Sequence, residues 1–482
     1  MSFGGFDEFR MMTEYDFSAL PDVVWVDVLT RLSVGDRARL ALACRRLNDA
    51  FNHPSVWYRV DVNLVGTLPL SPSRRRRVPA RYGVVAPDRY VSMIRRFGAY
   101  FQDVRLTVRG EVCELQESCR EVLEQLAACR LESLTLRVGE GTAQRREPSP
   151  AAADALLALI RRAQRLRSLD VRCWPVSTNC DIVASLRDNA NLRRLERLSL
   201  FVRNAAEDSW VPLTTRLPPP DCVVGLVGEL AALTSLSVHS ALLTTRLVDV
   251  LCRPRRSQLS RLGVMVVYAG GRGSVTGGHD ARFPRIDDAT WTKLRTSNAA
   301  VGVELTFCNA VPSYELMSLL SAAVPVRAVA FMKYSNYTPD VLTCLAANYH
   351  RTLAKFADYG DAGGGAELGG MVGRCGALCS LVYHGAVRPS TVLDLAAARA
   401  GAWKRLQLSV RWTLDRDHGD DVLCLEPATG NYAITAHLPG SMFYHDAATD
   451  ERQAASYQSL CEQVSDLLGY KWRPLNEPAN LD

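Results

Sequence analysis

The chain has no paired-cysteine framework and no long apolar run, and its charge leans only slightly to one sign. Its 14 cysteines are scattered, and none forms a Cys-x-x-Cys pair. Cys375 and Cys379 are four apart, but no nearby pair of Cys or His completes a zinc set. The cysteines therefore read as small apolar side chains in a reduced compartment. No uninterrupted apolar stretch reaches membrane-spanning length. The N-terminus places Met11 and Met12 among acidic and aromatic residues, not a basic run followed by an apolar core, so no export signal is expected. A soluble protein of the cytoplasm or nucleus is the expectation. The 57 basic and 51 acidic residues leave a net charge of +6, too small by itself to imply a nucleic-acid partner.

Catalytic patterns are also missing. The 8 histidines are dispersed without metal-ligand spacing, and there is no Gly-x-Ser-x-Gly and no phosphate-loop signature. The Gly-rich stretch Ala269–Pro284 lacks the Gly-Lys-Ser/Thr ending and reads as an insertion. Asp287-Asp288 and Asp420-Asp421 read as helix starts or solvated loops. No catalytic residue, metal site or cofactor is expected.

What is present begins with a compact N-terminal pattern. Leu20-Pro21-Asp22 opens a helix, because proline's missing N–H costs nothing in a first turn. Val24, Trp25, Val28, Leu29 and Leu32 follow at helical spacing as one apolar face. Ser33–Asp36 reads as a turn, with Asp36 expected to cap the next helix, which carries Leu40, Leu42, Ala43 and Leu47. His53-Pro54 ends the helical region. So few short helices bury little surface alone and call for a partner. Residues 62–88, with Pro69, Pro72, Pro79 and Pro87 and the run Arg74–Arg77, read as an exposed loop.

From residue 101 a pattern apolar-x-x-apolar-x-apolar recurs, as in Leu131/Leu134/Leu136, Leu166/Leu169/Val171, Leu195/Leu198/Leu200, Leu233/Leu236/Val238 and Leu259/Leu262/Val264. Degenerate copies keep only Leu305/Phe307 and Leu353/Phe356. Later starts fall at 326, 353, 378 and 403, offsets of 27, 25 and 25 residues, within the range of leucine-rich repeats. Short helical candidates lie between copies: Glu114–Cys129, Ala152–Arg162, Asp181–Asp188, Thr244–Leu251, Asp287–Leu294, Ser313–Ala322, Pro339–Ala347 and Ser390–Arg399. Strand and helix units that cannot bury their own faces stack into a solenoid. The repeats lack the Asn or Cys often found after the last core position, so irregular turns are expected. From Trp412 the pattern stops, and Ala454–Leu468 reads as an amphipathic helix capping the last repeat.

The ordered set Leu20-Pro21-Asp22, Val28-Leu29, Cys44-Arg45-Arg46 and Trp57 resembles an F-box, with Leu47 standing where F-boxes usually place Trp. With the repeats, the chain resembles the F-box and leucine-rich-repeat substrate receptors, most nearly the group of F-box only proteins thirty-three and thirty-nine. The residues carrying the finer likeness are Gly35-Asp36-Arg37-x-Arg39, Ala43–Asn48, Tyr90–Tyr100, Trp291-x-Lys293-Leu294 and Val324–Arg327. The resemblance implies an α/β fold: a helical F-box, then an irregular solenoid with a parallel inner sheet and outer helices. The expected domains are an F-box over 16–60, a linker over 61–89, repeats over 90–411 and a C-terminal cap over 412–482. It also implies a non-catalytic subunit of a Skp–cullin–F-box ubiquitin ligase, binding a Skp-family adaptor and, through it, a cullin. On that resemblance the adaptor face carries over to Leu20, Pro21, Val24, Trp25, Val28, Leu29, Leu42 and Trp57.

Strand alternation turns the strand side chains that point away from the core to the inner face of the arc, the face expected to meet the substrate. Candidate contacts are Arg137, Arg172, Arg197, Phe201, His239, Arg261, Tyr359 and His384. Arg137, Arg172, Arg197 and Arg261 outnumber Asp170 on the early copies, which suggests an acidic or phosphorylated substrate segment. Two other readings stay open. A scaffold without ubiquitin transfer would bury its adaptor-facing helix against its own repeats. A nucleic-acid binder using Arg74–Arg77 would lose affinity steeply with salt.

Overall fold

The computed structural model describes residues 20–65, 87–109, 120–138, 150–171, 179–200, 217–267, 286–308, 311–332, 335, 337–360, 365–387, 389–410 and 447–473. They fall into two compact units that part between Leu195 and Glu196.

The first unit opens with helices α1 (Asp22–Arg31), α2 (Val34–Ala41) and α3 (Arg45–Phe51). Asp22 lies in the first turn of α1 and Arg31 in its last, each sign complementing the helix dipole. The cap of α2 is Ser33, not the expected Asp36: the Asp36 amide donates to Ser33 Oγ (3.2 Å), which itself donates to the Asp36 carboxylate (2.6 Å). Ser33 Oγ thus caps α2 while the Asp36 carboxylate orients its hydroxyl, and that serine hydrogen bond holds the Asp36 carboxyl below its ordinary range. Leu29, Leu47, Ala50 and Val56 are buried. Leu47, at the position where F-boxes usually carry Trp, is only 7% exposed.

Trp57 and Arg37 join these helices to the strands that follow. Trp57 stacks on Phe97 (4.2 Å, 7°), meets the edge of Phe51 (4.9 Å) and donates its indole N–H to the Phe51 carbonyl (2.7 Å). Phe97 closes α4 (Pro87–Phe97). The Arg37 guanidinium is buried and donates to the carbonyls of Thr30, Leu32, Val56 and Arg59. Strand β1 (Arg59–Val65) then pairs in parallel with β2 (Asp103–Arg109), from Arg59↔Asp103 to Val65↔Arg109. This corrects the expected linker over 61–89. Val60 and Val62 are fully buried while Arg59 and Asp61 are exposed, so residues 59–62 carry strand alternation before the proline- and arginine-rich stretch. Arg74–Arg77 lie outside the described residues.

Strands β3 (Ser133–Val138) and β4 (Ser168–Val171) continue in parallel register, with helix α5 (120–126) before β3, α6 (Pro150–Arg162) between the two and α7 (Asn179–Arg187) after β4. A recurrent device sets the register. One carbonyl ahead of each strand accepts the two amides that open the next: Tyr58 O from Gln102 and Asp103, Gln102 O from Glu132 and Ser133, Glu132 O from Arg167 and Ser168.

The second unit uses the same device, with Glu196 O, Thr234 O, Ala354 O and Cys379 O as acceptors. Its strands are β5 (Arg197–Leu200), β6 (Ser235–His239), β7 (Arg261–Val266), β8 (Gly302–Phe307), β9 (Val326–Phe331), β10 (Lys355–Asp358), β11 (Ser380–Val387) and β12 (Arg405–Val410). Each pairs in parallel with the next in chain order. Phe307 stacks on Phe331 (4.9 Å, 13°), which also packs on Phe356 (6.1 Å). The helices are α8 (Pro220–Glu229), α9 (Thr245–Leu251), α10 (Asp288–Ser297), α11 (Ser313–Leu319), α12 (Pro339–Tyr349), α13 (Gly365–Arg374) and α14 (Pro389–Ala398). Neighbours pack as α8 on α9, α9 on α10, and α11 through α14 in sequence. Asp287 caps α10 by accepting from the Thr290 amide (2.6 Å).

Helix ends are tied across repeats by side-chain donors that are buried or half-buried. In the first unit the Asn189 amide donates to Ile160 O and Ala163 O. In the second, Asn298 donates to Leu251 O and accepts from the Leu259 amide, and Asn348 donates to Leu320 O. Arg255 likewise reaches the carbonyls of Val227, Leu230 and Val250. Each bond removes an orphan carbonyl that a helix end would otherwise bury. At the C-terminus α15 (Ala447–Leu468) packs on α14. Leu460, Cys461, Val464, Leu468 and Trp472 are buried, and Trp472 donates its indole N–H to Leu406 O on β12 (2.9 Å).

Candidate adaptor-docking and substrate-binding surfaces

The N-terminal helices divide their apolar residues between inside and outside. On α1 the stripe has one edge turned in, where Leu29 is fully buried, and one turned out, where Val24 is 36% exposed. Leu20, Trp25 and Val28 are half-buried and Pro21 is exposed. Leu42, the C-cap of α2, is 88% exposed. Val23 is 71% exposed and was not among the expected face residues. Its β-branched apolar side chain beside Val24 was the available signal. Leu29 and Trp57, expected on the docking face, lie beneath it: Leu29 is sealed among the helices and Trp57 is held in the Phe51–Phe97 stack. They support the face from behind.

On the strands of the first unit, basic side chains sit beside acids. Arg59 Nε lies 2.8 Å from Asp103 and Arg105 Nη1 lies 3.7 Å from Asp61. Arg137 is exposed, in the row formed by Asn63, Thr107 and Arg137. Arg172 and Phe201 lie outside the described residues, as do residues 269–284.

In the second unit the register places Arg197, Ser235, Arg261 and Gly302 in one row and Ser199, Ser237, Gly263 and Glu304 in the next. Arg197 is exposed. Arg261 is paired with Glu304 at 2.5 Å, so its charge is not available to an anionic segment as expected. Ser199, Ser237 and His239 are 8%, 2% and 3% exposed, so strand alternation named their face but not its burial. His239 Nδ1 accepts from the Ala241 amide (3.1 Å). Burial pulls the imidazole down to about pKa 4, so at neutral pH the ring is uncharged with its proton on Nε2.

Tyr359, just after β10, and His384, within β11, meet edge to face at 5.2 Å and are half-buried. Beneath them sits a residue that the repeat pattern passed over. Asp358 is wholly buried and accepts from the Tyr337 hydroxyl (2.8 Å) and the Gly360 amide (2.9 Å). It occupies the third core position of the Leu353/Phe356 copy, and the missing apolar residue there was its signal. Burial and then the Asp358 charge push the Tyr337 phenol upward. Among the described residues no group of three or more His, Cys, Asp or Glu could hold a metal ion, and no helix is long and apolar enough to cross a membrane.

Residues 17–63 match the F-box-like family model. The first helices are an F-box-like domain. Behind it stand parallel strands and helices at leucine-rich-repeat spacing, which gives the α/β architecture expected from the sequence. F-box/LRR-repeat protein 8 of Homo sapiens is 24% identical over 383 residues, covering 74% of this chain and 86% of that protein. F-box/LRR-repeat protein 21 of Mus musculus is 23% identical over 184 residues, 38% of this chain. The match spans only 40% of the length of the mouse protein. These relatives share the pairing of an F-box with leucine-rich repeats, the coarser part of the resemblance stated above.

Proposed function

We propose that the chain is a non-catalytic substrate-recognition subunit of a Skp–cullin–F-box ubiquitin ligase, its F-box-like helices docking on the adaptor and its repeats holding the protein to be ubiquitinated. One observation carries this. The helices have a closed core of Leu29, Leu47, Val56 and Trp57, yet leave Val23, Val24 and Leu42 exposed. An apolar helical face left in water supports insertion into a partner's groove. A scaffold that buried this face against its own repeats would leave no such residues exposed. The adaptor contacts are Leu20, Pro21, Val23, Val24, Trp25, Val28 and Leu42, and the cullin is reached through the adaptor. The site of action is the cytoplasm or nucleus. The residues from Gly35-Asp36-Arg37 to Val324–Arg327 support the finer likeness to F-box only proteins thirty-three and thirty-nine.

The test replaces Leu20 and Pro21 with Ala in the full chain and measures recovery of a co-expressed Skp adaptor. Losing a buried anchor at such an interface costs about 2 kcal/mol or more, so recovery should fall to background with the repeats still folded. Wild-type recovery would reject the reading.

A further inference from the structure

Arginines on the helices and early strands of the first unit meet acids. Arg31 pairs with Asp27, Arg39 with Asp36, Arg46 with Asp22, Arg59 with Asp103, Arg95 with Glu121, Arg105 with Asp61 and Arg120 with Glu124, all at 2.7–3.7 Å. Arg130, Arg162, Arg165, Arg193 and Arg194 do not follow that pattern. They are exposed, and among the described residues none of these side chains has a hydrogen bond or ion pair.

The repeat brings them to one edge, where helices end and strands begin. Arg130 and Arg165 each stand just before the leucine that opens a copy, and β3 and β4 pair at Leu134↔Leu169, so the two positions are neighbours. Arg194 stands at the same place before Leu195. Arg162 lies in the last turn of α6. The Asn189 side chain, beyond α7, donates to Ile160 O (2.7 Å) and Ala163 O (3.0 Å) and accepts from the Asn191 amide (2.8 Å). It thereby ties the end of α6 to the turn leading into Arg193 and Arg194. Neighbouring strands lie about 4.8 Å apart, so the edge gathers like charges closely on a backbone already held in place. Neither 155–169 nor 189–195 contains an Asp or Glu; the exposed Asp188 and the half-buried Glu132 flank them. Like charges on adjacent positions repel. The dipole of α6 offsets that cost for Arg162 only, because its effect fades beyond the last turn. The remaining four are left for something outside the chain.

We propose that this arginine edge of the first unit docks an acidic segment of the protein substrate, a run of Asp and Glu side chains, through guanidinium–carboxylate pairs. The inference rests on the receptor reading above and gives a place and a chemistry to the substrate contact, away from the side chains of the strands. Charge complementarity calls for an anion, and the guanidinium fork matches a carboxylate. The paired arginines of the same unit take carboxylates already. A nucleic-acid strand would call for aromatic platforms set among the charges. Tyr100, 41% exposed at the matching position before Phe101, stands at the end of the row, and the positions between Arg130, Arg165 and Arg194 offer no such ring.

The experiment uses the full chain and three fluorescent probes of equal length: a poly-glutamate peptide, a neutral Gly-Ser peptide and an oligothymidine. Binding is read by anisotropy at about 0.15 M salt, where distant charges are screened. One variant combines Arg130→Gln, Arg165→Gln and Arg194→Gln. A second, Arg59→Gln, Arg95→Gln and Arg120→Gln, removes the same number of charges from paired positions. The glutamate peptide should bind, the neutral peptide should not, and the oligothymidine should bind more weakly. The first variant should lose about tenfold or more in affinity for the glutamate peptide, and the second should stay near wild type. Melting temperature should hold in the first variant, since the replaced side chains are exposed and unpaired. The proposal is overturned if the glutamate peptide does not bind, if the oligothymidine binds more tightly, if the first variant binds like wild type, or if both variants lose equally. Adaptor recovery is scored on the same preparations. If the first variant loses the adaptor, the edge belongs to adaptor docking and the proposal fails. A wild-type chain that binds the glutamate peptide through this edge but recovers no adaptor would sink the receptor reading alone. A chain that recovers the adaptor but ignores the peptide would sink this inference alone.

Discussion

Replacing Arg37 with Met should loosen the F-box-like helices from the first strand while leaving the docking face untouched. The side chain is 4% exposed, so little of its role lies in solvent. Its Nη1 donates to Val56 O at 2.7 Å, Nε to Leu32 O at 3.0 Å and Nη2 to Thr30 O at 3.0 Å. Both terminal nitrogens reach Arg59 O at a weaker 3.3 Å. Val56 and Arg59 lead into and open β1, so the grip spans helix and sheet. Burial lowers the guanidinium pKa, and Asp61 opposes that shift. Hydrogen bonds from a charged donor each contribute about 1.5–3 kcal/mol, and a buried acceptor left empty costs about 1–3 kcal/mol. Water can re-satisfy the outer carbonyls, so a net loss of about 3 kcal/mol is the working figure. For a unit of this size that corresponds to a melting-point drop of roughly 6–12 °C. Arg37→Lys keeps the charge but not the fork, and should fall between. Calorimetry of the full chain reads the shift. A methionine variant melting with wild type would refute the claim that this guanidinium holds the helices to the sheet.

Asn298→Ala should cost about 2–3 kcal/mol in chemical denaturation, since Leu251 O and the Leu259 amide both lose a buried partner. An unchanged midpoint would remove the helix-end ties from the account. Trp472→Phe keeps the ring in place but drops its bond to Leu406 O, and should cost about 1 kcal/mol, read as increased proteolysis of α15. His239 gives a pH signature. Its pKa is depressed from 6.5 to about 4 in the folded state, so the unfolded chain binds more protons between those values. Its contribution is complete above 6.5 and is lost as pH falls toward 4, by about 3 kcal/mol in all. His239→Phe should flatten the fall of stability across that window, and an equally steep fall would show that this histidine is not the buried neutral group.

Much of the repeat architecture was legible because a leucine at a fixed strand position repeats at a fixed offset. Where that signal failed, another residue type held the position. Asp358 fills a core place as a hydrogen-bonded carboxylate, and β8 begins with Gly302, a position where a Cβ would stand 2.8 Å from the Arg327 side chain. Helix α8 was not foreseen, because Pro218–Pro220 reads as a break although Pro220 stands at a helix start. Helix α13 was hidden by Gly369, Gly370 and Gly373, while Leu368, Met371 and Val372 carried its buried face. β1 was lost to the proline- and arginine-rich stretch after it. At the docking face, period alone could not tell Leu29 from Val24. They share one stripe, and only the placement of α3 and Trp57 turns one edge inward. On the repeat face, alternation gave the side on which Ser199 and His239 lie. Their burial depends on packing that no local pattern encodes.

The proposed function stands or falls on docking of the exposed apolar face of the first helices to a ubiquitin-ligase adaptor. The most direct measurement is binding of the purified full chain to a purified Skp adaptor, with Leu42→Asp beside wild type. Leu42 is 88% exposed, so the substitution should leave the melting temperature unchanged. The account predicts a stable complex that brings in the cullin, and a loss of affinity of about thirtyfold or more in the variant, in which a charge replaces a buried anchor. No complex with the wild-type chain, or equal binding by Leu42→Asp, would contradict it.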